Sequence, residues 1–272
     1  MEAKPVTKQI IHQGGKGELD ARLIGLTRNG DVVGVKECLG MGANPNATCM
    51  AENRIYDGET ALHIAAGNGD AEIVSLLLAA GASPDCVDGS GATPLFLAIC
   101  HKRSPSLALT LLEAGAKPGT GHDAQGRTTI HFAVLHDSIP LLDMLIRHKA
   151  DVNARTQMEF QTPLHYAAWN GYDNIIRRLL DGGASPDMSD VTDATPLHYA
   201  ALQKLEKTCE TLMEGGARAD VAAQNGKPPA GVWDKVAEIA AGVSERQRAR
   251  IIAENYARRK RFAALRPERP SL

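Results

Sequence analysis

The sequence Thr-Pro-Leu-His-Tyr-Ala-Ala at residues 162–168 occurs again, without a change, at residues 195–201. Three related copies, each also beginning with threonine, lie at residues 60–66, 93–98 and 128–133. Successive copies therefore start 33, 35, 34 and 33 residues apart. A period of this size is typical of a solenoid, in which each repeat is too small to fold alone and is stabilised by its neighbours.

Each copy contains the signals of two short helices. Thr162 is suited to cap a helix N-terminus, and Pro163 follows at the first helical position, where a missing N–H has no cost. Asn170-Gly171 predicts the end of that helix because both residue types tolerate a positive φ. A second apolar stretch then ends at a Gly-Ala pair, found at residues 42–43, 81–82, 115–116, 183–184 and 216–217. One copy has Lys149-Ala150 in that place.

These five copies resemble the ankyrin repeat. The resemblance implies an all-α fold, an ankyrin-repeat solenoid in which helix–turn–helix units with short β-turn fingers form a curved stack. It also implies that each motif histidine hydrogen-bonds within its own turn and braces the next turn. A shared metal site is the alternative, but successive histidines would lie one repeat apart, too far to bind the same ion. The four residues are His63, His131, His165 and His198.

The chain is expected to consist of one array with atypical ends. The predicted parts are a flexible N-terminus (1–15), a degenerate N-terminal capping repeat (16–48), a finger insertion (49–54), five ankyrin repeats (55–222), a degenerate C-terminal repeat (223–243), and a basic, weakly amphipathic helix and tail (244–272). Terminal repeats commonly depart from the pattern because their outer face meets water. Three stacked repeats suffice for stability, so we expect no metal, cofactor or disulfide.

The composition favours an intracellular protein. The five cysteines are odd in number and contain no Cys-x-x-Cys pair, which indicates a reducing setting. Residues 1–15 contain no apolar run long enough for a signal peptide, and no stretch of the sequence is long and apolar enough to insert into a membrane. We predict a cytoplasmic or nuclear protein that is monomeric by itself, with a secreted effector as the alternative.

Charge is unevenly distributed along the chain. Residues 244–272 contain nine basic and three acidic residues, and therefore carry +6. Because the whole chain carries −2, the remaining residues carry −8. The segment Arg258-Arg259-Lys260-Arg261 belongs either to a capping helix against the last repeat or to a nuclear-import or nucleic-acid patch. The capping helix is favoured, because too few aromatic residues accompany the basic ones to stack on bases.

Candidate contact residues follow from the family's binding mode, in which turn tips and first helices form a concave groove. Leu135, Trp169 and Leu202 end three successive first helices, and we refer to them as the apolar ridge. Such patches commonly mark interaction sites, whereas packing of Trp169 on its own stack is the alternative. Phe160 replaces the usual glycine, so its turn is expected to depart from the normal form and to project a large ring. The other candidates are Tyr56, His101, Arg127, His136, Met158, Asn170 and Gln203.

The sequence favours binding over catalysis. It shows no phosphate loop in a strand–loop–helix setting and no nucleophile placed beside His136-Asp137. Since members of the family bind other proteins non-covalently, the resemblance implies a non-enzymatic adaptor, scaffold or inhibitor with one or more protein partners. The alternatives are a bacterial or parasite effector acting on host proteins, and a nucleic-acid-associated or nuclear regulator that uses the basic tail. The return loop at Asn153 also resembles the setting in which ankyrin asparagines are hydroxylated.

Overall fold

The structure, a computed structural model, describes residues 16–48, 58–100 and 105–218. Within these ranges the backbone forms six helix pairs, and the predicted all-α fold is confirmed. The pairs are α1 (Lys16–Arg28) with α2 (Val32–Gly40), α3 (Ala61–Asn68) with α4 (Ala71–Ala79), α5 (Pro94–Cys100) with α6 (Pro105–Glu113), α7 (Thr129–Leu135) with α8 (Ile139–Arg147), α9 (Pro163–Asn170) with α10 (Asp173–Asp181), and α11 (Pro196–Leu202) with α12 (Glu206–Glu214).

Several predicted parts lie outside the described residues. They are the N-terminus 1–15, the finger insertion 49–54, the C-terminal repeat 223–243 and the helix and tail 244–272. The degenerate N-terminal repeat is described, and its helices α1 and α2 pack together although it lacks the Thr-Pro-Leu-His signature.

The chain divides after Gly121 into two compact units. In the first unit, α3 packs between α1 and α5, while α2 lies against α4. In the second unit, α9 packs between α7 and α11, while α10 packs between α8 and α12. Each unit therefore has a layer of first helices next to a layer of second helices.

Burial follows the apolar pattern of the sequence. In the second unit, Leu164 and Ala167 of α9 and Ile175 and Leu179 of α10 are buried. Full burial of a leucine or isoleucine side chain stabilises the folded state by about 1.5–3 kcal/mol. The small alanines allow neighbouring first helices to approach closely, as the sequence predicts.

The first helices begin at the motif threonines. Thr60, Thr128, Thr162 and Thr195 each have an extended backbone directly before a helix. In one copy, the Thr162 N–H donates to His165 Nδ1 over 3.0 Å, and Thr162 Oγ1 lies 2.8 Å from the same nitrogen. The side chain at the third helical position thus satisfies a backbone donor that the helix itself leaves unpaired.

The first helices end at residues with a left-handed backbone. Gly69 and Gly171, the predicted stops, have φ of 85° and 71°. Asp137 and Lys204 occupy the equivalent positions of two other copies and keep the same conformation, with φ of 48° and 58°. The turn is therefore retained even where the sequence has no glycine.

Candidate partner-binding surface

The finger turn before Thr162 differs from the other described turns. In three copies the turn is closed by a backbone hydrogen bond across four residues: Asp88 to Ala92, Asp123 to Arg127 and Asp190 to Ala194. In the Thr162 copy, the N–H of Thr156 instead donates to the carbonyl of Gln161, five residues on. Thr156 Oγ1 also accepts from the N–H of Gln161 over 3.0 Å, in place of the aspartate carboxylates that cap the other turns.

Phe160 adopts the backbone conformation of the glycines that it replaces. Its φ is 54°, against 80° at Gly58, 88° at Gly91 and 77° at Gly126. The expected departure from the normal turn is therefore found in the length and capping of the turn. Phe160 itself keeps a left-handed backbone, because hydrogen bonds around the turn hold it in that region.

The ring of Phe160 projects as predicted, and Arg155 covers one side of it. The ring is 44% exposed, and the Arg155 guanidinium lies 4.9 Å from its centroid. Arg155 also donates to the carbonyl oxygens of Phe160 (3.2 Å) and Ser189 (2.6 Å). A cation over an aromatic face contributes about 0.5–1 kcal/mol at an exposed site, so the ring is held in place.

Neighbouring finger turns of the second unit are joined through their backbones. The N–H of Gln157 donates to Gln125 O, and the N–H of Val191 donates to Glu159 O, each over 2.9 Å. Beside these bonds, Met158 is 74% exposed and Val191 is 57% exposed. We refer to Met158, Phe160 and Val191 together as the finger tips.

Tyr199 connects the finger turns to the helices. Its hydroxyl donates to Asp190 Oδ2 over 2.6 Å and accepts from Gln161 Nε2 over 2.7 Å. Burial and the nearby Asp190 carboxylate raise the pKa of Tyr199 well above its usual value. Burial opposes ionisation of Asp190, but hydrogen bonds from Tyr199 and Thr192 hold the pKa of that carboxyl below its usual value. The network therefore joins a neutral phenol to an ionised carboxylate.

Trp169 is both packed and exposed. Its ring meets Tyr199 edge-on, with centroids 5.8 Å apart, yet the side chain remains 45% exposed. Leu202, at the equivalent position of the next repeat, is 44% exposed, whereas Leu135 is half-buried. The apolar ridge is thus open to solvent at Trp169 and Leu202, and less so at Leu135.

The other predicted contact residues are partly engaged within the chain. Arg127 donates to Asp123 over 2.6 Å, and its guanidinium lies 5.0 Å from the centroid of Phe132. The His136 ring lies 6.0 Å from that of Phe132. Asn170 Nδ2 donates to Tyr166 O over 2.8 Å, and Gln203 is exposed at the end of α11. The remaining candidates, Tyr56, His101, Arg258, Arg259, Lys260 and Arg261, lie outside the described residues.

Three motif histidines join consecutive repeats. The Nε2 atoms of His63, His131 and His165 lie 3.2, 3.3 and 3.0 Å from the carbonyl oxygens of Ala92, Gln161 and Ala194. Each carbonyl precedes the threonine of a following copy, so the bracing role is confirmed for these residues. A carbonyl only accepts and a backbone N–H only donates, so Nε2 carries the proton and Nδ1 accepts from threonine.

Burial holds these imidazoles in the neutral form. It lowers the pKa of His131 and of His165 to about 4, and it also lowers the pKa of His63. Both ring nitrogens are occupied, and the described part of the chain contains no cluster of three or more metal-ligating side chains. The fourth residue, His198, makes the same contacts within its own turn.

A cysteine–histidine contact was not foreseen from the sequence. Cys86 Sγ lies 3.7 Å from His63 Nδ1 and 3.5 Å from Thr60 Oγ1. Burial raises the pKa of the Cys86 thiol, and His63 Nδ1 already accepts from the backbone of Thr60. The contact therefore holds a neutral thiol. No local signal predicts it, because the two residues come from different repeats.

Asparagines of the return loops also join adjacent repeats. Asn153 Oδ1 accepts from the N–H of Ser185 over 2.8 Å, and Asn46 Oδ1 accepts from the N–H of Ser83 over 2.7 Å. The sequence pattern does not indicate these roles, and at Asn153 it indicates only a resemblance to a hydroxylation site. That modification stays a prediction.

Among the described helices, none is long and apolar enough to cross a lipid bilayer.

Comparison with known proteins identifies the class. The sequence matches a family model for ankyrin repeats, three copies long, over residues 23–122 and 130–225. Because the match covers most of the chain, the protein belongs to the ankyrin-repeat family and is a protein–protein interaction module.

Individual relatives share part of this chain. The nuclear factor NF-kappa-B p105 subunit of Gallus gallus is 32% identical over 165 residues, which are 59% of this chain and 16% of that protein. Rabankyrin-5 of Mus musculus is 32% identical over 174 residues, 52% of this chain and 15% of that protein. The crystal structure of the ankyrin repeat domain of Bcl-3, a member of the IkappaB protein family, has a TM-score of 0.67 and 26% identity, and the match covers 81% of this chain and 97% of that one.

Proposed function

We propose that the chain is a non-enzymatic adaptor, scaffold or inhibitor that binds a protein partner on its second unit, over the apolar ridge and the finger tips. One observation carries the proposal: Trp169 is 45% exposed although its ring is held edge-on against Tyr199. Large aromatic side chains dominate the energetics of protein interfaces. An anchor that is already held in place loses little conformational entropy when a partner covers it.

The residues around Trp169 support the same surface. Tyr199 is fixed by Gln161 and Asp190, so the floor beside the indole is rigid. The positions equivalent to Trp169 in two repeats of the first unit are Gly67 and Cys100, which offer little apolar surface. The aromatic anchor is therefore a property of the second unit.

The buried histidine side chains and the Cys86 side chain are engaged in contacts within the chain, and this supports a non-enzymatic role. The buried histidines use both ring nitrogens for structural hydrogen bonds, and the Cys86 thiol is held neutral. Neither group is available as a general base or as a thiolate nucleophile. Turnover by the purified chain alone would contradict this part of the proposal.

The test is affinity capture from a lysate of the source cells, followed by measurement of the dissociation constant with the captured protein. The double variant Trp169→Ala/Leu202→Ala removes the exposed part of the ridge. Loss of Trp169 is expected to cost about 2 kcal/mol, or roughly thirtyfold in affinity, because interface tryptophans contribute on this scale. Circular dichroism must first show that the variant is folded.

A matched control is Val33→Ala/Val87→Ala, which truncates two exposed apolar side chains of the first unit. It is expected to bind the partner as the unchanged chain does. Equal affinity of the ridge variant and this control would overturn the proposed surface. Capture from host cells, but not from source cells, would favour an effector that uses the same surface.

A further inference from the structure

The two arginines beside the candidate surface are already engaged within the chain, whereas Lys204, two residues after Leu202, is exposed. Arg127 is paired with Asp123 at 2.6 Å, and its guanidinium lies over Phe132. Arg155 donates to two backbone carbonyls and covers the ring of Phe160. These cations are therefore poorly placed to meet negative charge on a bound segment.

Two carboxylates of the finger turns have no such partners. Glu159 and Asp193 are exposed, and neither side chain makes an ion pair with any residue of the described ranges. Burial raises the pKa of Tyr199, and the charges of Asp190 and Glu159 add to the rise. Burial also raises the pKa of Tyr166, where the charge of Arg127 opposes the rise and that of Glu159 adds to it. The negative charge of the finger turns therefore reaches Tyr199 on the floor of the surface.

Apolar area and negative charge thus lie side by side on the second unit. Exposed apolar groups are found at the finger tips and at Trp169 and Leu202. A segment that covers this surface must bring apolar side chains together with arginine or lysine. An acidic or purely polar segment would leave the exposed carboxylates facing like charge or would leave the apolar groups uncovered.

The C-terminal region of the chain contains one segment that combines apolar side chains with arginine and lysine. Residues 251–262 include Ile252, Tyr256 and Phe262, and they contain four basic residues against one acidic residue. If residues 223–243 form the closing repeat expected from the sequence, seven residues remain before this segment. Seven extended residues reach about 24 Å. This reach exceeds the distance across two packed helices, at about 8–10 Å each, which would separate such a closing repeat from α9.

We infer that residues 251–262 bind to the finger tips and the apolar ridge of the second unit when no partner is present, so that a partner must displace them. The inference rests on the proposed function, since it assigns an occupant to the same surface. A tethered segment has a local concentration in the millimolar range, so even weak contacts keep the surface occupied. The protein would then bind its partner less tightly than the exposed surface alone allows.

The fluorescence of Trp169 tests this in the full chain. The protein has two tryptophans, so the background change Trp233→Phe leaves Trp169 as the only reporter. Two variants alter the segment: Ile252→Ser/Phe262→Ser, and Arg258→Ser/Arg259→Ser/Lys260→Ser/Arg261→Ser. In both, acrylamide quenching of Trp169 is expected to increase about twofold or more, because the tethered cover is lost. The matched control, Arg266→Ser/Arg269→Ser, lies outside the segment and is expected to leave quenching unchanged.

Equal quenching in all these proteins would overturn the inference. Protection of Trp169 that grows with protein concentration would also overturn it, because a second copy would then be the occupant. Partner affinity separates this inference from the proposed function. If partner binding needs Trp169 but both segment variants leave quenching and affinity unchanged, only the self-occupancy is wrong. If the segment variants expose Trp169 while Trp169→Ala leaves partner affinity unchanged, the proposed function is wrong.

Discussion

Lys149 adopts a left-handed backbone at a position where five other copies have glycine. Its φ is 66°, whereas the glycines at positions 42, 81, 115, 183 and 216 have φ between 90° and 96°. A side chain in this region clashes with the neighbouring carbonyl oxygen, which costs about 1–2 kcal/mol. The repeat keeps its geometry because packing of the helices on either side determines the turn.

Exchange of the two residue types at this position should change stability in opposite directions. Lys149→Gly is expected to raise the free energy of unfolding by about 0.5 kcal/mol, since relief of strain exceeds the extra unfolded-state entropy of glycine. The converse change, Gly183→Lys, is expected to lower it by a similar amount. At Gly183 an added Cβ meets no atom within 4 Å, so its effect is conformational. Urea unfolding followed by circular dichroism measures both, and effects of the same sign would contradict the explanation.

At the scale of elements, helix α11 is tied to the finger turns through Tyr199. The phenol bridges Gln161 of one turn and Asp190 of the next, while its ring meets those of His165 and Trp169. A single side chain therefore joins the turns to the exposed indole. Removal of its hydroxyl leaves a largely buried carboxylate oxygen without its donor.

Tyr199→Phe is expected to lower the free energy of unfolding by about 1–2 kcal/mol, because a buried acceptor loses its hydrogen bond. The matched control is Tyr166→Phe at the equivalent position of the preceding repeat. The Tyr166 hydroxyl makes no hydrogen bond with the residues that the structure describes, so its loss should change stability by less than about 0.5 kcal/mol. Chemical unfolding of both variants compares them, and equal losses would show that the network contributes little.

At the scale of the whole molecule, the repeated histidines make stability depend on pH. His131 and His165 have a pKa of about 4 in the folded state, against about 6.5 in an unfolded chain. Between these values the unfolded state binds more protons, so the free energy of unfolding falls as the pH decreases. Because one pKa unit corresponds to about 1.4 kcal/mol, each histidine contributes on the order of 3 kcal/mol of this loss.

The contribution of these histidines to the free energy of unfolding should therefore be constant above pH 7 and should fall steeply from pH 6.5 to pH 4. Urea titrations at pH 7, 5.5 and 4.5 measure the slope. The variant His165→Asn keeps a hydrogen-bonding side chain but has no imidazole, so its slope should be smaller than that of the unchanged chain. Identical slopes would mean that other groups cause the acid sensitivity.

The repeat architecture could be predicted from the sequence because its signals are local. Threonine caps, glycine stops and apolar periodicity act within one or two helical turns. They correctly indicated the starts of the helices at Thr60, Thr128, Thr162 and Thr195, the stops at Gly69 and Gly171, and the family. The exposed Trp169 could also be predicted, since its position relative to the motif is fixed by the repeat.

The tertiary structure alone decided which side chains meet across repeats. Tyr199 with Gln161, Cys86 with His63, and Asn153 with Ser185 are separated by 38, 23 and 32 residues, and stacking brings them within contact distance. It also decided that Phe160 keeps a left-handed backbone in a turn that is one residue longer. Local propensity opposes that conformation, and the hydrogen bonds around the turn override it. The sequence thus determined the units, while the packing between them determined the surface that they present.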